Sequence, residues 1–205
     1  MTRLNRITFL FVCATDVFAI LAYGAVHQPV IALTYLLILL TALSWGADSW
    51  FSREFRYSRS LLQLPLLALG VYCLVQVIPF GYGPDPTGVG IPQTISLEPQ
   101  ATAVTAVHIL LLCLFLGAAL TYIDTAARLR RIAPAITIFG FVYAFYAILQ
   151  SVLSPNKIYG LYAPAAIPFG SFVNRHNFAA MIEMTISIPL GLLFVGAVAR
   201  DKRLL

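Results

Sequence analysis

Charge is what this chain lacks. Only 10% of its 205 residues are charged, with 13 Lys and Arg against 8 Asp and Glu. Soluble globular domains carry about 25% charged residues, so an ordinary water-exposed fold is excluded, and no nucleic-acid partner is expected. Cysteine is scarce as well. Cys13, Cys73 and Cys113 each lie inside an apolar run, and none belongs to a CxxC pair. Buried free Cys behaves as a small hydrophobe, so the three give no sign of redox or metal chemistry. The histidines are His27, His108 and His176. No two stand at ligand spacing on one helix and no carboxylate-rich set surrounds them, so no metal and no cofactor is expected.

What is abundant is apolar sequence: 60% of residues are hydrophobic and the mean hydropathy is +0.87. Six stretches, 7–26, 29–47, 60–80, 103–123, 132–152 and 178–198, approach the roughly 20 residues that cross a bilayer core. The longest connections are 81–102 and 153–177, neither able to bury a core. The expected fold is therefore all-α: one polytopic helical transmembrane domain over 1–205, with about six spans. Asp16 in the first run, and the absence of a small-x-small site after it, argue for an uncleaved span over a signal peptide.

The cations set the orientation. Arg3 and Arg6, then Arg53, Arg56 and Arg59, then Arg128, Arg130 and Arg131, then Arg200, Lys202 and Arg203 fall on one side. The other side holds only Lys157 and Arg175. Both termini are thus expected in the cytoplasm, with Trp45, Trp50 and Tyr57 as interfacial aromatics at cytoplasmic helix ends. The outer connection 81–102, rich in Gly and Pro, predicts turns and a short surface helix before the fourth span. "IPFG" occurs at 78–81 and 167–170, but the flanks do not match and no internal repeat is inferred.

Ionisable groups inside a membrane are costly and single out candidates. Asp16, near mid-depth of the first span, is expected to be satisfied by a hydroxyl or amide of a neighbouring helix, and His108 to hydrogen-bond between helices. The densest polar cluster is "GSFVNRHNFAAMIEM", residues 170–184, at the outer mouth of the last span. With Asn174 or Asn177 as N-cap, His176, Ala180, Glu183 and Ser187 share one face. That face is expected to turn toward other helices or an aqueous cleft. First-turn amides would aim outward beside Arg175, a cation set against the positive end of the helix dipole. Together with Lys157 they suit an anion, above all a phosphate; the bland alternative is an Arg175 that snorkels at the interface.

The run "PFGSFVNRHNFAAMIEMTISIPLGLL" resembles the signature of the O-antigen ligase and O-antigen polymerase family of bacterial envelope polysaccharide proteins. Gly170, Phe172, Asn174, Arg175, Phe178, Ala179, Glu183 and Pro189 stand in the family's places. "ISLEPQAT" (95–102), "KIYGLYAP" (157–164) and, more weakly, "YGAVHQP" (23–29) add to the likeness. His176-Asn177 inverts the family's Asn-His order, so either residue can fill the Asn place.

The resemblance implies a metal-independent glycosyltransferase in the bacterial inner (cytoplasmic) membrane. Its substrate would be a glycan carried on undecaprenyl diphosphate at the outer leaflet. It further implies Arg175 as the diphosphate ligand, Lys157 as a weaker helper, and Asn174, His176, Asn177 and Glu183 as further substrate-binding residues. Only the N-terminal half of such a protein is matched. More spans, and an outer loop with the catalytic His, would follow in the chain or come from a second polypeptide completing the site. The alternatives are a non-catalytic accessory subunit that binds lipid diphosphate and, further off, a transporter.

Overall fold

The computed structural model describes residues 3–83 and 91–194. The end of the expected sixth span (195–198), the cations Arg200, Lys202 and Arg203, and positions 84–90 of the outer connection lie outside the described residues. Six α-helices occur among those described: α1 (Arg3–Leu21), α2 (Gln28–Ser52), α3 (Leu64–Val77), α4 (Pro99–Tyr122), α5 (Ala126–Leu153) and α6 (Arg175–Phe194). Five of them, all but α3, are long and apolar enough to cross a membrane. Tyr82–Gly83 and Ile91–Pro92 form one short antiparallel pair in the outer connection.

The helices depart from the expected spans where local chemistry decides. The third span, expected over 60–80, is a 14-residue helix preceded by a 3-10 turn, Leu61–Gln63. Ser60 caps that turn by accepting from the Leu62 N–H. Pro65 sits in the first helical turn, where its missing N–H costs nothing. At the other end Pro79 forces Ile78 into the extended region (ψ 127°) and stops the helix. The separate surface helix expected before the fourth span is not found among the described residues, because α4 itself begins at Pro99. α5 likewise begins at Ala126, capped by Thr125, so Arg128, Arg130 and Arg131 ride on its first turns. Arg128 is buried and pairs with Asp124 at 3.7 Å.

The chain divides into two compact units. The first comprises Met1–Val12 and Leu37–Tyr122. Its centre is the antiparallel pair α3 and α4, which matches Gln63 with Gly117, Gly70 with Leu110, and the Gln76 carbonyl with the Ser96 N–H. Lipid tails are as apolar as Leu, so membrane helices associate through close packing at small residues. Gly70 does this: a Cβ there would lie 2.8 Å from Leu110 Cδ2. At one end of the unit Asp48, 3% exposed, accepts from Tyr122 Oη (2.9 Å) and Asn5 Nδ2 (3.5 Å). The Ser58 N–H donates to Thr121 Oγ1 beside them. That polar knot ties α1, α2 and α4 at the end flanked in sequence by Arg3, Arg6, Arg53, Arg56 and Arg59. There the Trp45 indole N–H donates to the Arg56 carbonyl, and its ring stacks on Phe55.

The second unit comprises Cys13–Leu36 and Ile123–Leu205. α6 lies on α5 with Thr185 against Gly140, where a Cβ would come within 2.2 Å of Thr185 Cγ2. Gly140→Ala must push the two helices apart. Overpacking costs about 1–3 kcal/mol, and a chain of this size loses about 2–4 °C per kcal/mol. A thermal midpoint about 2–12 °C lower is therefore expected by scanning fluorimetry. An unchanged midpoint would show that α6 slides on α5 without loss.

Candidate functional site

The connection from α5 to α6 is a built structure, more ordered than the run of turns its composition suggests. One side chain clamps it. Gln150, 6% exposed on the last turns of α5, donates through Nε2 to the carbonyls of Ser154 (3.2 Å) and Lys157 (2.5 Å). Its Oε1 accepts from the Gly170 N–H at 3.0 Å. A single amide thus joins both limbs of the loop to the helix. Two turns earlier, Tyr143 Oη accepts from the Ser171 N–H at 2.8 Å and hydrogen-bonds the Ser171 hydroxyl. The Ser171 hydroxyl also bonds the Ile20 carbonyl at the end of α1.

Gly170 is required where it stands. Its φ is +62°, and a Cβ would lie 2.9 Å from Tyr143 Oη. Around it Phe172 and Phe178 gather on Tyr143, and Phe169 packs on Phe178 with the two rings 4.7 Å apart. Ile158, fully buried, pairs with Tyr162 across the other limb of the loop.

Beside this loop lies a second aromatic group. Tyr23 and His27, from the α1–α2 connection, meet Tyr159 and Tyr162 edge to face at 4.9–5.9 Å. The backbone there is strained. Among the described residues four non-glycines have positive φ, and three of them are Tyr23 (56°), Ala25 (53°) and Tyr159 (54°). Each left-handed non-glycine residue costs about 1–2 kcal/mol, and such strain persists where surrounding contacts fix it. Those contacts are present: Tyr159 Oη donates to the Leu21 carbonyl, and Gly24 presses on the Phe172 ring. Partial burial holds the Tyr159 phenol above its ordinary pKa, so it remains an O–H donor.

The predicted site residues sit at the end of this construction. Asn174 is the N-cap of α6: its Oδ1 accepts from the His176 N–H at 2.9 Å, which decides between it and Asn177. The first-turn amides do not serve an anion as expected. The Arg175 N–H is taken by the Ile167 carbonyl, that of His176 by the cap, and that of Asn177 by the Asn174 carbonyl. The physical reason is the fold-back of Ile167, which brings a loop carbonyl over the helix end.

Side chains remain. Arg175 and Lys157 are exposed, and neither forms an ion pair or side-chain hydrogen bond among the described residues. Lys157 is fixed through its backbone by Gln150 and Ser154.

Two expectations are corrected. His176, Ala180, Glu183 and Ser187 do share a face, but all four are exposed and it meets no other helix among the described residues. Glu183, eight residues beyond Arg175, lies about 12 Å further along the axis at 1.5 Å per residue. Asp16 is also exposed and finds no hydroxyl or amide partner among the described residues. α1 turns that residue outward while its neighbour Thr15 is buried. Reasoning from sequence missed Gln150, Tyr143, Ser171 and Asp48. Only Gln150 and Asp48 carried a signal, as polar residues at the ends of apolar runs.

This architecture defines a multi-pass helical membrane protein with a structured, aromatic-rich connection leading into its last described helix. Comparison with protein-family models, curated proteins and solved structures gives no match.

Proposed function

We propose that this chain is the N-terminal portion of a glycosyltransferase like the O-antigen ligases and polymerases, in a bacterial inner membrane. It would act on glycan linked to undecaprenyl diphosphate at the outer leaflet. The observation that supports this most is two unneutralised, exposed cations, Lys157 on a loop fixed to α5 by Gln150 and Arg175 at the start of α6, where that loop ends. The cation asymmetry puts that loop on the side away from the cytoplasm. An exposed Arg opposing a helix dipole with no acidic residue in the first turn is unfavourable alone and favourable once a dianion arrives.

The chemistry proposed is the one the resemblance to the ligases and polymerases implies. An acceptor hydroxyl oxygen attacks the sugar C1, the C1–O bond to the diphosphate breaks, and the diphosphate leaves with the electron pair. Arg175, helped by Lys157, stabilises the charge that develops on it. Asn174 holds the helix start that aims Arg175; His176 and Asn177 follow in the first turn, and Glu183 lies about 12 Å further along α6. No residue of the described chain is assigned as the base that takes the acceptor's proton.

The exposed face of α6 favours a second element at this site. Lipid offers Glu183 no hydrogen bonds, so a further polar protein surface covers it, either more of the same polypeptide or a partner. A non-catalytic accessory subunit that binds lipid diphosphate shares every feature of the binding site.

The binding step is tested directly. The chain in nanodiscs should bind undecaprenyl diphosphate and discriminate strongly against undecaprenol, as measured by native mass spectrometry or a displacement assay. Equal affinity for the alcohol would remove the diphosphate reading.

A further inference from the structure

We infer that Tyr23, His27, Tyr159 and Tyr162 form a carbohydrate platform that holds the first pyranose rings of the lipid-linked glycan beside Arg175. The inference rests on the reading of Arg175 as diphosphate ligand. Three observations carry it.

The first is the geometry of the rings. Tyr23, His27 and Tyr162 form a closed triangle of edge-to-face contacts, with Tyr159 against Tyr23. Tyr159 and Tyr162 remain 41% and 37% exposed. An aromatic face is the negative pole of a quadrupole, and the axial C–H face of a pyranose is its complement. The Tyr159 hydroxyl is held by the Leu21 carbonyl, which fixes that ring in the cluster.

The second is the backbone. Interfacial aromatics need no unusual conformation: Trp45 and Trp50 are presented from ordinary turns of α2. This cluster uses left-handed Tyr23, Ala25 and Tyr159. Strain of that kind gathers where a ligand is clamped.

The third is distance. Phe172 packs on Gly24, the residue after Tyr23, and Arg175 follows Phe172 by three residues. At 3.8 Å between consecutive Cα atoms, that stretch spans at most about 11 Å. Arg175 therefore follows closely on the residue that touches the tyrosine-bearing connection, an order that suits a diphosphate at Arg175 with its sugar toward the tyrosines. Lys157 lies two residues before Tyr159, on the same limb of the loop.

The test uses the full chain in nanodiscs with two lipid probes, undecaprenyl diphosphate bare and bearing one N-acetylhexosamine. Saturation transfer to a free oligosaccharide provides a third reading. The parent should bind the sugar-bearing lipid more tightly than the bare one. Tyr162→Ala should weaken the sugar-bearing lipid by about 10-fold, the order expected of one aromatic contact, leave the bare lipid unchanged, and abolish saturation transfer. Tyr162→Phe keeps the ring and should retain most of the binding, which guards against misfolding as the cause. If Tyr162→Ala weakens neither probe, or both equally, the cluster is an interfacial belt and the platform is refuted. Bare lipid that fails to bind the parent, with saturation transfer intact, would sink the diphosphate reading and leave the platform standing.

Discussion

Arg175→Ala should weaken binding of undecaprenyl diphosphate by about 10- to 150-fold while leaving helical content unchanged. A hydrogen bond to a charged group contributes about 1.5–3 kcal/mol, and 1.4 kcal/mol is one decade of affinity. The structure concentrates this effect in one side chain, since the amides of Arg175, His176 and Asn177 already have acceptors and cannot substitute for it. Arg175→Lys should recover only part, because an ammonium lacks the two-pronged fit of guanidinium to phosphate oxygens. Lys157→Ala should have a smaller effect and raise the salt sensitivity of what remains, since exposed charges are screened over about 10 Å at 0.1 M salt. Removing Arg175 also relieves its opposition to the α6 dipole, so the variant should be no less stable than the parent. Parent-like affinity in a folded Arg175→Ala protein would make Arg175 an interfacial residue that serves no ligand.

Much of the fold was legible because the membrane imposes a length and a composition on each helix. Five of the expected spans coincide with long helices, whose described ends are shifted by up to six residues. The third span differs because Pro65 and Pro79 bracket it, and Pro punctuates a helix more sharply than hydropathy can show. The start of α6 was visible to within a turn from Asn174 and Asn177. The choice between them lay in tertiary structure, in the carbonyl of Ile167 arriving from the loop.

The clamp was not legible. Gln150 is one amide in an apolar helix, and its partners are backbone groups 4, 7 and 20 residues away. No side-chain pattern announces a backbone partner. The same holds for Tyr143 and Ser171, joined across 28 residues. The face of Glu183, expected to turn toward other helices or an aqueous cleft, meets no helix among the described residues, for a related reason. Periodicity places residues on one face together, while what that face meets depends on elements elsewhere.

Gln150→Leu should therefore be the most disruptive single change to the loop, although it conserves side-chain size and suits a membrane helix. The parent amide satisfies two carbonyls and one buried N–H, and Leu satisfies none. Each buried polar group left without a partner costs about 1–3 kcal/mol. The Gly170 N–H is buried, and Ser154 is half-buried, so a local penalty of about 2–4 kcal/mol is expected. That is large beside a folding free energy of about 5–15 kcal/mol, yet it falls on a segment able to open locally. Amide exchange at Ile158, Tyr162, Gly170 and Ser171 should accelerate by about 30- to 1,000-fold, while exchange in α3 and α4, which belong to the other unit, stays as in the parent. Gln150→Glu keeps an acceptor for the Gly170 N–H and loses both donors, so its exchange rates should fall between parent and Leu. Diphosphate affinity should fall along the same series, because Lys157 and the Ile167 carbonyl over Arg175 are both held through this loop. Exchange that stays slow in Gln150→Leu would mean that Tyr143, Ser171 and the Ile158–Tyr162 bridge hold the loop without the clamp. Arg175 and Lys157 would then owe their placement to the aromatic core around Phe169, Phe172 and Phe178.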